Sequence, residues 1–222
     1  MNWAAALDAY FDRVGNARYA GHLRNEVNLL DRTGAEKLSG LFSEHPTIQV
    51  IGGVVLDDPE TSNHHVFATK SPVAGQVLFL SHDGETRIMF ASLDEFVDAA
   101  DRAVNEGRWL TDLHPLCSPL SKDQKGLAEL IRNLCAGNQD EDTAVELIPS
   151  LDLSDVDLLE YLVAARNFFL AETVAVEIAK RPMKYLLGVA ELCSAHPHPQ
   201  AARAGSEAVR AIRKGFAHSP DA

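Results

Sequence analysis

Residues 71–104, SPVAGQVLFLSHDGETRIMFASLDEFVDAADRAV, decide the fold of this chain. Residues 76–81 are rich in β-forming side chains, and so are residues 86–90. Asp83-Gly84 lies between them, the pair that suits a type I′ hairpin turn, because both central residues of that turn take positive φ. Ser92 then stands at a helix N-cap position, with Glu95 three residues on to complete a capping box. Leu93, Phe96, Val97 and Ala100 recur at helical spacing, which gives the helix one apolar face to lay on the hairpin. The stretch therefore predicts strand, turn, strand and helix.

Working outward, Trp3, Leu7, Tyr10, Phe11 and Val14 form a helical stripe that Gly15 ends. Leu23, Val27 and Leu30 predict a second helix starting near Tyr19, interrupted at Thr33-Gly34 and resuming over 35–42. Pro46 is expected to stop helix propagation, and the β-branched run 47–56 to form a strand. Gly52-Gly53 within that run marks a bulge or a close backbone approach. Residues 64–69 predict a further short strand. Strands joined by short turns make an antiparallel sheet, so residues 1–110 read as an α+β domain.

Residues 111–122, TDLHPLCSPLSK, hold two prolines and no periodicity, and read as a linker. Beyond them the texture is helical throughout. Leu127, Leu130, Ile131 and Leu134 form one stripe, with Gly137 as its C-cap. Further helices are expected over 144–148 and after a Ser154 cap, then over 173–180, around 185–193 and around 208–216. Residues 123–222 therefore predict an all-α module, either a HEAT-like array or a bundle, of the kind that binds proteins on one face.

The formal net charge of −12 over 222 residues excludes direct nucleic-acid binding, which needs clustered Lys and Arg. It suits a basic protein partner, which such a field steers inward. Three scattered cysteines give no zinc spacing and no disulfide framework, and imply a reducing compartment. The opening residues lack a basic segment, Asp8 and Asp12 break any apolar core of a leader, and no run is long enough to span a bilayer. A cytoplasmic location and no membrane contact are expected.

Nine histidines raise the question of a metal. His64 and His65 are neighbours in a strand and point to opposite faces, so they do not share an ion. No GxSxG or phosphate-loop pattern is present, and Gly52-Gly53 lacks the Lys-Ser/Thr that a phosphate loop needs. The chain is read as non-enzymatic, with no cofactor and no metal. Asp57, Asp58 and Glu60 share one loop, and residues 140–160 contain acids with no base among them. Helix-dipole complementation accounts for part of this. Asp57, Asp58, Glu60, Asp140, Glu141, Asp142, Asp155 and Asp157 are the predicted partner-binding residues. Arg203, Arg210, Arg213 and Lys214 read as helix-end charges of structural origin.

Residues 63–67 (NHHVF), 74–90 (AGQVLFLSHDGETRIMF) and 92–100 (SLDEFVDAA) resemble the SUKH superfamily. Its members show a strand ending in a polar-Asp-Gly turn, a second strand and a Ser-Leu-x-x-Phe helix that closes the domain. In bacteria that resemblance implies an immunity protein, which neutralises a cognate secreted toxin, encoded next door, by occluding its active surface. A cationic nuclease toxin would match the acidic charge. The competing expectations are an adaptor or chaperone of a secretion or cell-wall pathway, and an enzyme with its cleft between the two halves.

Overall fold

The computed structural model describes residues 3–15, 18–136 and 140–216. The fold is α+β, with ten α-helices and a four-stranded antiparallel sheet among the described residues. It divides into two units, Met1–Leu127 and Ala128–Ala222.

In the first unit, helix α1 (Trp3–Val14) forms on the expected stripe and buries Tyr10, Phe11 and Val14. The helix expected from Tyr19 does not form. Leu23–Asn25 is a single 3-10 turn, and Val27 and Leu29 enter isolated bridges with His22 and Asp57. Of the expected stripe, Val27 joins the core and Leu30 packs against it, while Leu23 is exposed, so the segment is buried without being helical. Helix α2 (Arg32–Leu41) starts from Asp31, whose side chain accepts the Gly34 N–H, so Thr33-Gly34 opens the helix instead of interrupting it.

Pro46 also begins a helix. It occupies the first turn of α3 (Pro46–Ile51), where its missing N–H costs nothing. The β-branched residues Thr47, Ile48 and Ile51 are buried there, so packing overrides their strand preference. Gly52 closes the helix in the left-handed conformation at φ 63°. Only Gly53–Val55 of the run expected as a strand becomes β1. A Cβ on Gly53 would sit 2.5 Å from Val66 Cγ1, the close approach that the glycine pair implied.

Strands β2 (His64–Ala68), β3 (Val77–Leu80) and β4 (Arg87–Phe90) continue an antiparallel meander in the order β1-β2-β3-β4. Every residue of β2, β3 and β4 is buried, so the sheet is covered on both faces. The register puts His65 opposite Phe79 and Phe67 opposite Val77, and slips once between Val77 and Leu78. The connection between β3 and β4 is not a type I′ turn, since neither Asp83 nor Gly84 has positive φ. Side chains close this longer loop. Ser81 Oγ accepts the Gly84 N–H at 2.9 Å, and Thr86 Oγ1 accepts the Ser81 N–H at 3.0 Å.

Helix α4 (Leu93–Glu106) forms as read. Ser92 Oγ accepts the Glu95 N–H at 3.2 Å, and Glu95 Oε2 reaches back to the Ala91 N–H at 2.9 Å. Leu93, Phe96, Val97 and Ala100 are all buried, and each large member contributes about 1.5–3 kcal/mol by leaving water. With α1 and one sheet face they form a single core cluster. The stretch read as a linker belongs to this unit. Thr111–Leu113 is a 3-10 turn, Arg87 donates to the Pro115 carbonyl at 2.6 Å, and Ser121 Oγ donates to the Pro72 carbonyl at 2.8 Å.

The chain leaves this unit along α5 (Gln124–Ala136), and the Gly137 cap expected there lies outside the described residues. The second unit is helical: α6 (Glu141–Leu147), α7 (Val156–Val163), α8 (Phe168–Lys180), α9 (Leu187–Ser194) and α10 (Pro199–Phe216). Asp155, not Ser154, caps α7, and Ser154 bonds to Asp152 instead. Helix α8 packs against α6, α7, α9 and α10, so the unit is built round a hub. Its buried side includes Leu170, Val174 and Ile178 together with one carboxylate, Glu177.

Candidate functional site

The eight acids predicted to face a partner divide by what their surroundings ask of them. Asp57 is turned inward and is 0% exposed, so it is no part of an outer surface. Asp58 is half-buried, and its carboxylate accepts the Glu60 N–H at 3.2 Å, which leaves Glu60 as the exposed member of that loop. In the second unit Asp140 caps α6 through the Thr143 N–H, while Glu141 is half-buried and Asp142 exposed in its first turn. Asp155 caps α7 through the Leu158 N–H and pairs with Arg132 at 2.7 Å. Burial raises the Asp155 pKa, but the Leu158 N–H and Arg132 outweigh it and the net direction is down. Asp157 is exposed beside it, as are Asp152 and Glu160. Helix capping thus occupies Asp140 and Asp155, and Asp152 accepts from Ser154, while Asp142, Asp157 and Glu160 are exposed.

Asp57 instead starts a buried polar chain that sequence reasoning missed. Its carboxylate accepts the His65 backbone N–H at 2.6 Å and the His65 ring Nδ1–H at 2.5 Å. The other His65 nitrogen meets His114 Nε2 at 2.9 Å. Neighbouring His64 points the other way and bonds the Asp57 carbonyl at 3.0 Å, so the two strand histidines do diverge as expected. Phe79, Phe90 and Phe96 surround the His65 ring. Burial, then the charges of His65 and Arg87, hold His114 down at about 3, so it is neutral at pH 7. Nearby Tyr10 donates its hydroxyl to the Leu56 carbonyl, and burial, then the Asp57 charge, raise its pKa. Asp57 holds His65 and His65 holds His114, which makes the chain a polar clamp between β2 and the 111–122 segment. The one local signal was the Asp57…His64-His65 spacing; His114 carried none.

A groove of about 350 Å³ opens elsewhere in the first unit, between α1, the 72–76 turn and the start of α4. Trp3, Phe67, Leu93 and Val97 supply apolar walls, and Gln76 lies within it. Among the described residues no group of three or more His, Cys, Asp or Glu side chains is placed to hold a metal ion, and no helix is long and apolar enough to cross a membrane.

Fold and geometry together define the class: an α+β unit with an open four-stranded antiparallel meander, followed by a helical unit with an acidic stretch at the starts of two helices. No protein-family model, curated protein or solved structure matches the chain.

Proposed function

We propose that the chain is an immunity protein: a cytoplasmic, non-enzymatic binder that neutralises a cognate basic toxin by covering its active surface. The observation that carries this reading is the stretch 140–160, which has no Lys or Arg and keeps Asp142, Asp152, Asp157 and Glu160 exposed. A field of one sign steers an oppositely charged partner and sets its register. The meander with its Ser92-capped helix also supports the reading, since it has the element order of the resemblance to the SUKH superfamily.

Co-expression with the product of the adjacent gene tests it. The expected result is rescue of growth and a co-purifying complex, weakened when Asp142, Asp157 and Glu160 are changed to Lys. Rescue and affinity unmoved by those charge reversals would remove the acidic surface from the mechanism. A neighbour that is neither toxic nor bound would sink the immunity reading.

The adaptor or chaperone reading draws on a different observation. Tyr161, Phe169, Met183 and Tyr185 are exposed on the helical unit, and such side chains are enriched where proteins bind each other. Pull-down of clients that do not inhibit growth on their own would favour it.

A further inference from the structure

The groove in the first unit plays no part in toxin binding as proposed above, and its chemistry asks for a different occupant. We propose that it is a binding site for a small, neutral, planar aromatic molecule carrying one N–H donor.

Its size and walls set the shape. A volume of about 350 Å³ falls at the lower end of pockets that hold small organic ligands. The Trp3 and Phe67 rings meet edge to face, with centroids 6.2 Å apart and planes at 69°. Such a corner receives a further ring well, because aromatic faces and edges carry opposite partial charge. Gly75 holds the corner open. It takes φ +93°, and a Cβ there would stand 2.3 Å from the Trp3 ring, so any side chain would drive the indole out of its place.

One polar group sets the donor. Gln76 is 6% exposed and lines the groove. Its Nε2 donates to the Leu120 carbonyl at 3.2 Å, which identifies the other terminal atom as oxygen. That Oε1 is buried and has no hydrogen-bond partner. Buried acceptors without partners are uncommon and costly, and a ligand N–H removes the cost. Oε1 is shut off from water, so a ligand reaches it only when lining side chains, of which Leu120 and Lys122 are exposed, move aside.

The rim sets the charge. Arg13 is tied to Asp98 at 2.9 Å and Asp101 at 3.2 Å, Arg18 also holds Asp101 at 2.8 Å, and Asp94 and Lys122 bring opposite signs to the same edge. No net field remains to select an ion, so a neutral molecule fits.

The test uses the full ¹⁵N-labelled chain titrated with indole and with benzothiophene, which has the same shape and no N–H. The expected result is chemical-shift change at the Trp3 ring N–H and at the Gly75 and Gln76 amides, with indole bound about tenfold more tightly. Gln76→Leu is expected to abolish the difference between the two probes. Equal affinity of the probes for the wild-type chain, shifts confined to other residues, or no shifts at all would overturn the proposal, and none of these depends on the variant folding.

Discussion

His65 and His114 meet Nε2 to Nε2 at 2.9 Å, although 49 residues separate them in the chain. With Asp57 holding the far side of the His65 ring at 2.5 Å, the contact fastens the 111–122 segment to the second strand of the sheet. The two rings stand nearly perpendicular, at 79°, among the phenylalanines of the core. Such an arrangement tolerates no extra charge on His114, and that gives it a pH signature.

His114 titrates at about 3 in the folded protein, held down first by burial and then by His65 and Arg87, against an ordinary 6.5. Between those two values the unfolded chain binds more protons than the folded one. Stability therefore rises with pH across the interval: the contribution is present in full above 6.5 and is lost as pH falls towards about 3. Urea midpoints measured near neutrality and near about pH 4.5 should fall more steeply for the wild type than for His114→Phe. Equal losses would mean that the His114 proton is not coupled to folding.

Asp57→Asn tests the other end of the chain. The carboxylate accepts two N–H groups of His65 and is wholly buried, so the amide loses a charge-assisted bond and presents N–H groups to N–H groups. A loss of about 3 kcal/mol is expected in denaturant unfolding. Affinity for a protein partner, measured on the folded fraction, should not change, because Asp57 does not reach the surface. Weaker binding at unchanged stability would reverse that assignment.

Gly75→Ala should destabilise by about 1–3 kcal/mol through its left-handed backbone and the collision with Trp3. In a Trp109→Phe background Trp3 is the remaining tryptophan, and its emission should shift to the red as the ring leaves Phe67 for water. Unchanged emission would show that the ring finds another buried position.

The parts of this fold that could be read from sequence are those set by neighbours in the chain. The Ser92 cap and Glu95 lie within one helical turn and act as read, except that the carboxylate takes the Ala91 N–H, one residue before the N-cap. Pro46 misled because proline both ends helices and begins them, and only the buried seats of Thr47, Ile48 and Ile51 decide between the two. Asp83-Gly84 misled because Ser81 and Thr86 supply side-chain bonds that make positive φ unnecessary. The polar chain was out of reach for a different reason: nothing near His114 records that Phe79, Phe90 and His65 will close round it. Of the acids marked for a partner, Asp57 was indistinguishable from Asp58 by composition, yet one is buried and the other is half-exposed.

Glu177 offers the sharpest test of the helical unit. Its carboxylate is 1% exposed and pairs with Lys180 and Arg181, each at 2.8 Å. Arg181 also donates to the Leu151 carbonyl at 2.6 Å and to the Pro149 carbonyl at 3.2 Å, so Glu177 anchors a staple from α8 to the turn before α7. Removing one partner of a buried pair leaves the others uncompensated, and Glu177→Ala is expected to cost about 3–5 kcal/mol. Glu177→Gln keeps the volume and an acceptor and should cost less, while Arg181→Met combined with Glu177→Ala should fall short of the sum of the single losses. Urea unfolding of the wild type, Glu177→Ala, Arg181→Met and the double variant gives the coupling directly. A Glu177→Ala chain within about 1 kcal/mol of the wild type would mean that water takes the place of the carboxylate and that the staple bears no load.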